Sequence, residues 1–390
     1  MSNHVIILHL HELTLKGNNR SWFEKILIKN LSIHLKHLPY KNISIISGRI
    51  LITSININLI KDYKECLSCV LGIRNFLFAI EVDLNIEKIK DKSLSLFSDI
   101  NSHKTFRISS RRQNKNYKLT SQDINCIIGE YIQVNTGLKV NLTNPDIDLV
   151  IEVVNDKAFV GIEKIEAFGG LPVGTGEKAL SLISSGIDSP VASFNLLKRG
   201  VKLDYIHFHS APATSTQSIY NVESLLKVLC KYQLQCNLYL FPLLDIQNKI
   251  MDVVDSKFWI LLFRRAMMKI SNIIALENNY KVLVSGENIG QVASQTLSNI
   301  VAIQDASHIP IIRPLSGYNK EEIVNQAEKI GTYKISIEPY QDCCSYFVPP
   351  NPETKAKLER IRYQEQKVNL DEIIKTEILK LEKKEISLYE

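Results

Sequence analysis

The sequence predicts a chain of two differently built parts: a mixed α+β first half and, from about residue 177, a doubly wound α/β unit around a parallel sheet. Three observations carry this expectation. From Leu180 onward, short apolar runs alternate with longer amphipathic stretches, the pattern of strands buried on both faces by crossover helices. Before that point strands and helices are mixed, and one pair of strands carries a hairpin signal. Between the halves stands Phe168-Gly-Gly-Leu-Pro-Val-Gly-Thr-Gly176, a Gly- and Pro-rich linker. The 390 residues suffice for two or three domains, and 45% hydrophobic with 23% charged residues fits a soluble globular chain.

Taken in order, Val5 to Leu10 reads as a strand and Trp22 to Leu35 as an amphipathic helix. Two strand-like runs, ISII and RILITSI, flank the turn pair Ser47-Gly48. Tyr63 to Leu71 reads as helix, Phe76 to Val82 as strand, Ile86 to Ile100 as helix and Phe106 to Ser109 as a short strand. Ser121 to Thr136 is helical, with Ser121 as N-cap. Leu149 to Val154 and Lys157 to Ile162 form a hairpin about Asn155-Asp156, a favoured turn pair. The second half has apolar runs at Leu180 to Ile183, Leu203 to Phe208, Asn237 to Phe241 and Val282 to Ser285, with helices between. A parallel sheet of this kind binds ligands at the strand C-terminal ends. The charge-rich stretch from about residue 354 onward is helix-prone.

The stretch Ala179-Leu-Ser-Leu-Ile-Ser-Ser-Gly-Ile-Asp-Ser-Pro-Val-Ala192 is the most pointed chemically. A buried strand breaks into a small-residue turn, and apolar positions resume at helical spacing through Val191, Phe194 and Leu197. Strand, tight turn and helix N-terminus together make an anion cradle of backbone N–H groups and helix dipole. No Lys follows the turn, which excludes the GxxxxGK[ST] loop. Further groups fall where the sheet would place a ligand. His207-Phe208-His209 ends the second strand, and Arg264-Arg265 lies in a helical stretch. Ser285-Gly-Glu-Asn-Ile-Gly-Gln-Val-Ala-Ser-Gln-Thr296 follows the Val282 strand and is read as opening a helix. In it, Gly286 lets backbone approach a base or ribose, and Gln291 and Gln295 share a helix face.

The seven cysteines are odd in number and scattered, unlike a disulfide framework. Cys126, Cys230 and Cys236 sit among apolar neighbours and are expected to be buried. Cys66 and Cys69 have metal spacing but no second ligand pair, and no metal site is assigned. Cys343 and Cys344 lie in a polar, Pro-flanked loop, where a thiol is better placed to react. The net charge of +6 permits a nucleic-acid partner without demanding one. No apolar run approaches the roughly 20 residues that span a bilayer. The N-terminus lacks a basic leader with a cleavage site, so the expected compartment is the cytoplasm.

These segments, read together, resemble the tRNA 4-thiouridine synthetases, the sulfurtransferase family called ThiI. The resemblance rests on LKGNNRSWFE, FRISSRRQNKNYKLTSQDI, GGLPVGT, SSGIDSPVAS, HFHSAP, FRRAMMKI, SGENIGQVASQT and IIRPLSGYNKEEIVNQAEKIGTYKISIEPYQDCC, from about Glu12 to Lys355. It implies a ferredoxin-like domain over residues 1–60, a THUMP RNA-binding domain over 61–165, a linker over 166–176 and an ATP pyrophosphatase domain of the PP-loop type over 177–390. It implies an enzyme that adenylates a tRNA uridine (position 8) at C4 with ATP and Mg²⁺, then replaces the oxygen with persulfide sulfur. A second role in thiamine thiazole synthesis goes with the family.

By resemblance, Leu182, Ile183, His207, Phe208, Arg264, Gly286 and Gln295 match ATP-contacting positions. Backbone N–H groups from Ser184 through Ser185, Gly186 and Asp188 to Ser189 would hold pyrophosphate, with Asp188 orienting it through Mg²⁺. Cys344 matches the sulfur-handling cysteine. Lys104, Arg107, Arg111, Arg112, Lys115 and Lys118, with Tyr117 nearby, form a basic run suited to RNA phosphates. Relatives imply a homodimer.

Two departures stand out. Ser185 occupies the place of the loop's first Gly, where a positive φ would cost a non-Gly residue about 1–2 kcal/mol and the hydroxyl would crowd the phosphate. The chain ends 46 residues after Cys344, too few for the rhodanese-like domain of some members, so sulfur is expected from a cysteine desulfurase or a separate persulfide carrier. Two other readings compete: a different adenylating enzyme of the superfamily, and an RNA-binding protein with a decayed ATP site, which Ser185 alone supports.

Overall fold

The computed structural model describes residues 3–98, 104–341, 343 and 347–389. The chain divides into two compact units, Met1–Pro172 and Val173–Glu390.

In the first unit, β1 (Asn3–Leu10), α1 (Arg20–His34), β2 (Asn42–Ile46), β3 (Arg49–Thr53), α2 (Ile60–Ser68) and β4 (Ile73–Asp83) come first. Then follow α3 (Ile86–Ser95), β5 (Thr105–Arg112), α4 (Ser121–Thr136), β6 (Lys139–Val140), β7 (Ile147–Val154), β8 (Lys157–Ile162) and β9 (Ile165–Glu166). Its strands join one sheet in the order β2-β3-β1-β4-β8-β7-β5-β6, with β9 on β4. Helices α1 and α2 cover one outer stretch through Leu27, Leu31, Tyr63 and Leu67. Helices α3 and α4 cover the other through Ile89, Ile124, Ile128 and Ile132.

The sheet curls. On a flat sheet with about 4.8 Å between strands, β3 and β7 would lie roughly 19 Å apart, beyond side-chain reach. Yet Glu152 of β7, fully buried, accepts from Arg49 Nε of β3 at 2.8 Å and pairs with His9 Nε2 of β1 at 2.8 Å. Val5, Ile7, Leu51, Leu77, Val150, Val154 and Phe159 fill the concave side. Lys164 completes the charge cluster at 2.7 Å from Glu152. Burial pushes the Glu152 carboxyl up, but His9 and Lys164 outweigh it and hold the group well below the usual carboxylate range.

The N-cap of α4 is Thr120 rather than Ser121. Its side chain accepts from Asp123 N–H while the Asp123 carboxylate accepts from Thr120 N–H, a reciprocal capping box. Helix α3 stops at Ser95, short of the expected Ile100, which lies outside the described residues.

The second unit contains β10 (Lys178–Leu182), α5 (Asp188–Leu197), β11 (Lys202–His209), α6 (Gln217–Gln233), β12 (Gln235–Pro242), α7 (Leu244–Val253) and α8 (Trp259–Glu277). It continues with β13 (Leu283–Val284), α9 (Leu297–Gln304), β14 (Ile311–Ile312), α10 (Lys320–Ile330), α11 (Tyr333–Ser336), α12 (Leu358–Val368), α13 (Leu370–Glu377) and β15 (Glu382–Ser387). The sheet order is β14-β13-β10-β11-β12-β15. The first five strands are parallel, as the alternating pattern predicts. The chain moves outward from β10 through β11 and β12, then returns to the other side of β10 with β13. The crevice between β10 and β13 is therefore the topological switch point.

The helical reading of the C-terminal stretch holds through α12 and α13 and fails only at Glu382–Ser387. Strand β15 pairs antiparallel with β12, from Gln235↔Ser387 to Leu240↔Glu382. Of its six residues only Ile386 is buried, and Lys383 sits over the Tyr239 ring. So charged an edge strand carries little apolar periodicity, and its charges guard the edge against further pairing. Among the described residues no helix is long and apolar enough to cross a membrane.

Candidate active site

At the end of β10 the chain cannot continue as strand, and Ser184 turns it toward α5. Ser184 N–H donates to Ser189 Oγ at 2.9 Å, and Ser189 Oγ donates back to Ser184 C=O at 3.2 Å. One hydroxyl from the first turn of the helix thus closes the loop, using the Ser184 N–H expected for phosphate. Helix α5 opens with Asp188 in its first turn. The Asp188 carboxylate accepts from Lys320 Nζ at 2.6 Å and from Gln291 Nε2 at 3.1 Å.

Ser185 departs from the sequence expectation. Its φ is not positive, so it carries no left-handed strain. The side chain is fully buried and donates to Ser218 C=O of α6 at 3.3 Å. It points away from the cavity, and a hydroxyl held against α6 does not crowd a phosphate. His207 meets the same residue of α6: Nε2 lies 3.3 Å from Ser218 Oγ, and Nδ1 2.9 Å from Ile183 C=O. A carbonyl can only accept, so Nδ1 carries a proton and donates it to Ile183 C=O.

Gly286 follows β13 and allows a close approach, though to a different target from the one expected. A Cβ there would stand 2.8 Å from Ser189 N and Cα and 3.1 Å from the Asp188 carbonyl carbon. What it admits is the first turn of α5. Residues 285–296 run as a loop with a short 3-10 turn at Ala293–Gln295, and helix begins only at Leu297 behind the N-cap Thr296. Gln291 and Gln295 therefore share no helix face.

The switch-point crevice opens into a cavity of about 530 Å³. Leu182, Ile183, Ser184, Gly186, Asp188, Ser189, His207, Phe208, Arg264, Gly286 and Gln295 all line it; of the residues matched to ATP, Ser185 does not. The adjacent arginines of α8 part company. Arg264 reaches the cavity wall and donates to Glu287 Oε1 at 2.7 Å, while Glu287 Oε2 accepts from Arg313 Nε at 2.8 Å. Arg265 is buried on the other side against Glu365, Asp305 and the Ala302 carbonyl. Sequence reasoning missed Glu287, Lys320 and Tyr340. Glu287 and Tyr340 both stood in segments already singled out, whereas nothing in the residue pattern points Lys320 at Asp188.

Cys344 lies outside the described residues. Its neighbour Cys343 is buried in the cavity wall, with its carbonyl accepting from Gln247 Nε2 at 2.8 Å. Cys230 and Cys236 are buried with sulfurs 3.6 Å apart, and the Cys230 contact together with burial pushes the Cys236 thiol far up. Cys126 is exposed rather than buried. The buried face of α4 runs through Ile124, Ile128 and Ile132, and position 126 falls off it.

The basic run of the first unit splits in two. Lys104, Arg111, Lys115 and Lys118 are exposed. Arg107 pairs with Asp148 at 2.5 Å and donates to Leu142 C=O, and Arg112 donates to the carbonyls of Tyr117 and Leu119. Both guanidiniums organise their own surroundings, and Tyr117 packs against the apolar core. Among the described residues no three His, Cys, Asp or Glu side chains converge on a metal position.

Comparison with known proteins matches this architecture. The family described as "Thiamine biosynthesis protein (ThiI)" matches residues 174–370, a THUMP domain residues 84–163 and a ThiI ferredoxin-like domain residues 5–76. A probable tRNA sulfurtransferase of Caldanaerobacter subterraneus subsp. tengcongensis is 38% identical, over 95% of this chain and 97% of that protein. One from Natranaerobius thermophilus is also 38% identical, over 100% and 97%. Among solved structures, a 4-thiouridine synthetase in complex with RNA and bound ATP superposes with a TM-score of 0.87 at 36% identity. That match covers 98% of this chain and all of the other. A protein from Pyrococcus horikoshii gives 0.63 at 27% identity, covering 84% and 99%. The chain belongs to the ThiI family, the family of the tRNA sulfurtransferases.

Proposed function

We propose that this protein is an ATP-dependent tRNA sulfurtransferase that converts a uridine, at position 8, to 4-thiouridine. The observation that carries the reading is one cavity at the switch point whose wall combines the Ser184–Ser189 loop, Arg264 and the segment leading into the cysteine pair. The C4 oxygen of uridine is a poor leaving group. Attack of that oxygen on the α-phosphorus of ATP expels pyrophosphate and leaves an adenylated C4. The terminal sulfur of a donor persulfide then attacks C4 and AMP departs, and a thiolate cleaves the resulting S–S bond to leave 4-thiouridine and a disulfide.

This chain's residues suit these tasks. The loop and the α5 N-terminus offer N–H groups and a positive dipole end to the departing phosphates. Arg264 brings a fixed positive charge, held in place by Glu287. Mg²⁺ fits a site with one available carboxylate plus phosphate oxygens. Asp188, in the first turn of α5 beside the phosphate loop, is the carboxylate that would hold it. When bound, the ion would neutralise phosphate charge. Lys320 and Gln291, which hold the Asp188 carboxylate, are both exposed and would yield it to the ion.

Cys344 is the sulfur-handling thiol in this reading: the persulfide comes from a cysteine desulfurase or separate carrier, and Cys344 is the thiolate that forms the disulfide with that donor. A homodimer, a cytoplasmic setting and sulfur delivery for thiamine thiazole belong to the same proposal. So do the exposed Lys104, Arg111, Lys115 and Lys118 as tRNA phosphate contacts, and ferredoxin-like, THUMP and PP-loop domains over 1–60, 61–165 and 177–390. The rival reading of a decayed ATP site rested on Ser185, and the Ser218 hydrogen bond removes that support. The test is mass analysis of tRNA nucleosides after complementing a thiouridine-deficient strain. Wild type restores 4-thiouridine, whereas Cys344→Ser and Asp188→Ala do not. Full restoration by both variants would overturn the site assignment.

A further inference from the structure

The segment that leads into the cysteine pair does more than carry thiols: it is docked on the phosphate loop. Ser336, at the end of α11, donates its hydroxyl to Gly186 C=O at 3.3 Å. Four residues on, the Tyr340 hydroxyl lies 3.1 Å from where a Cβ on Gly186 would stand, and Ser184 Oγ 3.6 Å from the same point. Tyr340 thus brings a phenolic donor to the lip of the phosphate loop, and only the bare α-carbon of Gly186 leaves it room. Beyond it the segment is tied down twice more: Gln341 Oε1 accepts from Ser215 N–H at 3.4 Å, and Cys343 C=O accepts from Gln247. A change at Tyr340 is therefore felt by its anchored neighbours Gln341 and Cys343.

We propose that Tyr340 couples the two halves of the reaction: its hydroxyl donates to the phosphates of bound nucleotide and so holds the cysteine-bearing segment on the adenylation site. The inference rests on the adenylation reading above. A hydroxyl donor shared with an anionic oxygen is a charge-assisted bond, roughly twice as strong as a neutral one. Tyr340→Phe removes the oxygen and keeps the ring, and the thermal midpoint reads any effect on folding separately.

The test uses the full chain with tRNA, ATP and a cysteine desulfurase supplied with cysteine, measuring both pyrophosphate release and 4-thiouridine formed. For Tyr340→Phe the KM for ATP rises about 10-fold, as expected for one charge-assisted hydrogen bond, while kcat for pyrophosphate release and the thermal midpoint stay close to wild type. The yield of 4-thiouridine per pyrophosphate falls severalfold, because adenylated tRNA forms without the sulfur segment held in place. Ser336→Ala, which cuts only the tether to Gly186, lowers that yield without raising KM. An unchanged KM or an unchanged yield in Tyr340→Phe overturns the proposal. A wild-type protein that releases no pyrophosphate overturns the adenylation reading itself, and this proposal with it.

Discussion

Gly286→Ala should disable the nucleotide site by pushing on backbone. The new Cβ would stand 2.8 Å from both Ser189 N and Ser189 Cα, where comfortable contacts are about 3.5–4.0 Å. Close to 1 Å must be recovered, and the first turn of α5 cannot rotate aside as a side chain would. Overpacking of this kind costs about 1–3 kcal/mol. For a unit of this size each kcal/mol lowers the thermal midpoint by about 2–4 °C, so the expected drop is roughly 2–12 °C. The displaced residues are Asp188 and Ser189, the carboxylate and the hydroxyl that shape the phosphate loop. A misplacement near 1 Å can cost about 100-fold in rate. Scanning calorimetry and the KM for ATP in tRNA-dependent pyrophosphate release measure the two effects. Gly186→Ala is the control for stability, since its Cβ would meet side-chain ends alone, the Tyr340 hydroxyl at 3.1 Å and Ser184 Oγ at 3.6 Å, and its thermal midpoint should scarcely move. A Gly286→Ala protein with an unchanged midpoint and unchanged KM would refute the steric argument.

Other outcomes follow from the same geometry. Arg264→Ala should raise the KM for ATP with little loss of stability. Arg265→Ala should cost about 1–3 kcal/mol in chemical denaturation, because the Ala302 carbonyl and one oxygen of Glu365 lose their buried donor while Lys269 still pairs with Glu365. Ser185→Gly should leave kcat within about twofold of wild type and destabilise by about 1 kcal/mol through the lost Ser218 bond. Glu152→Ala should cost about 3–5 kcal/mol by leaving Arg49 unpaired inside the curled sheet, read by hydrogen exchange in β1 and β7. Because the folded Glu152 carboxyl lies below its ordinary value of 4.5, its stabilisation is present above that pH and is lost as pH falls beneath it. Protection in those strands should therefore decline in acid from about pH 4.5 in wild type, and Glu152→Gln should flatten that dependence.

Much of the site could be read from residue order because its parts are local. A strand, a small-residue turn and a helix start within a dozen residues, so the 184–189 loop announces itself, as do the strand end at His207 and the Gly286 turn. Side-chain direction is not local in that sense. Arg264 and Arg265 are indistinguishable in sequence, yet one helical step of about 100° sends one to the cavity and the other to Glu365. Ser185 looked like a defect because its partner, Ser218, is 33 positions away. Cys126 was expected inside because its neighbours are apolar, but burial follows the helix face and not the neighbourhood. Strand β15 escaped notice because an edge strand facing solvent needs charge rather than an apolar stripe.

The sequence by itself determined the alternation of strands and helices, the parallel sheet of the second unit, the position of the phosphate loop and the family. These depend on periodicity and short-range chemistry, which residue order carries directly. The tertiary structure alone decided that Glu287 holds Arg264, that Lys320 and Gln291 hold Asp188, and that Tyr340 sits on Gly186. Each of those contacts joins residues from 23 to 154 positions apart. Contacts of that range exist only once the sheet order has brought the strand ends to one crevice, and no local preference of the chain encodes them.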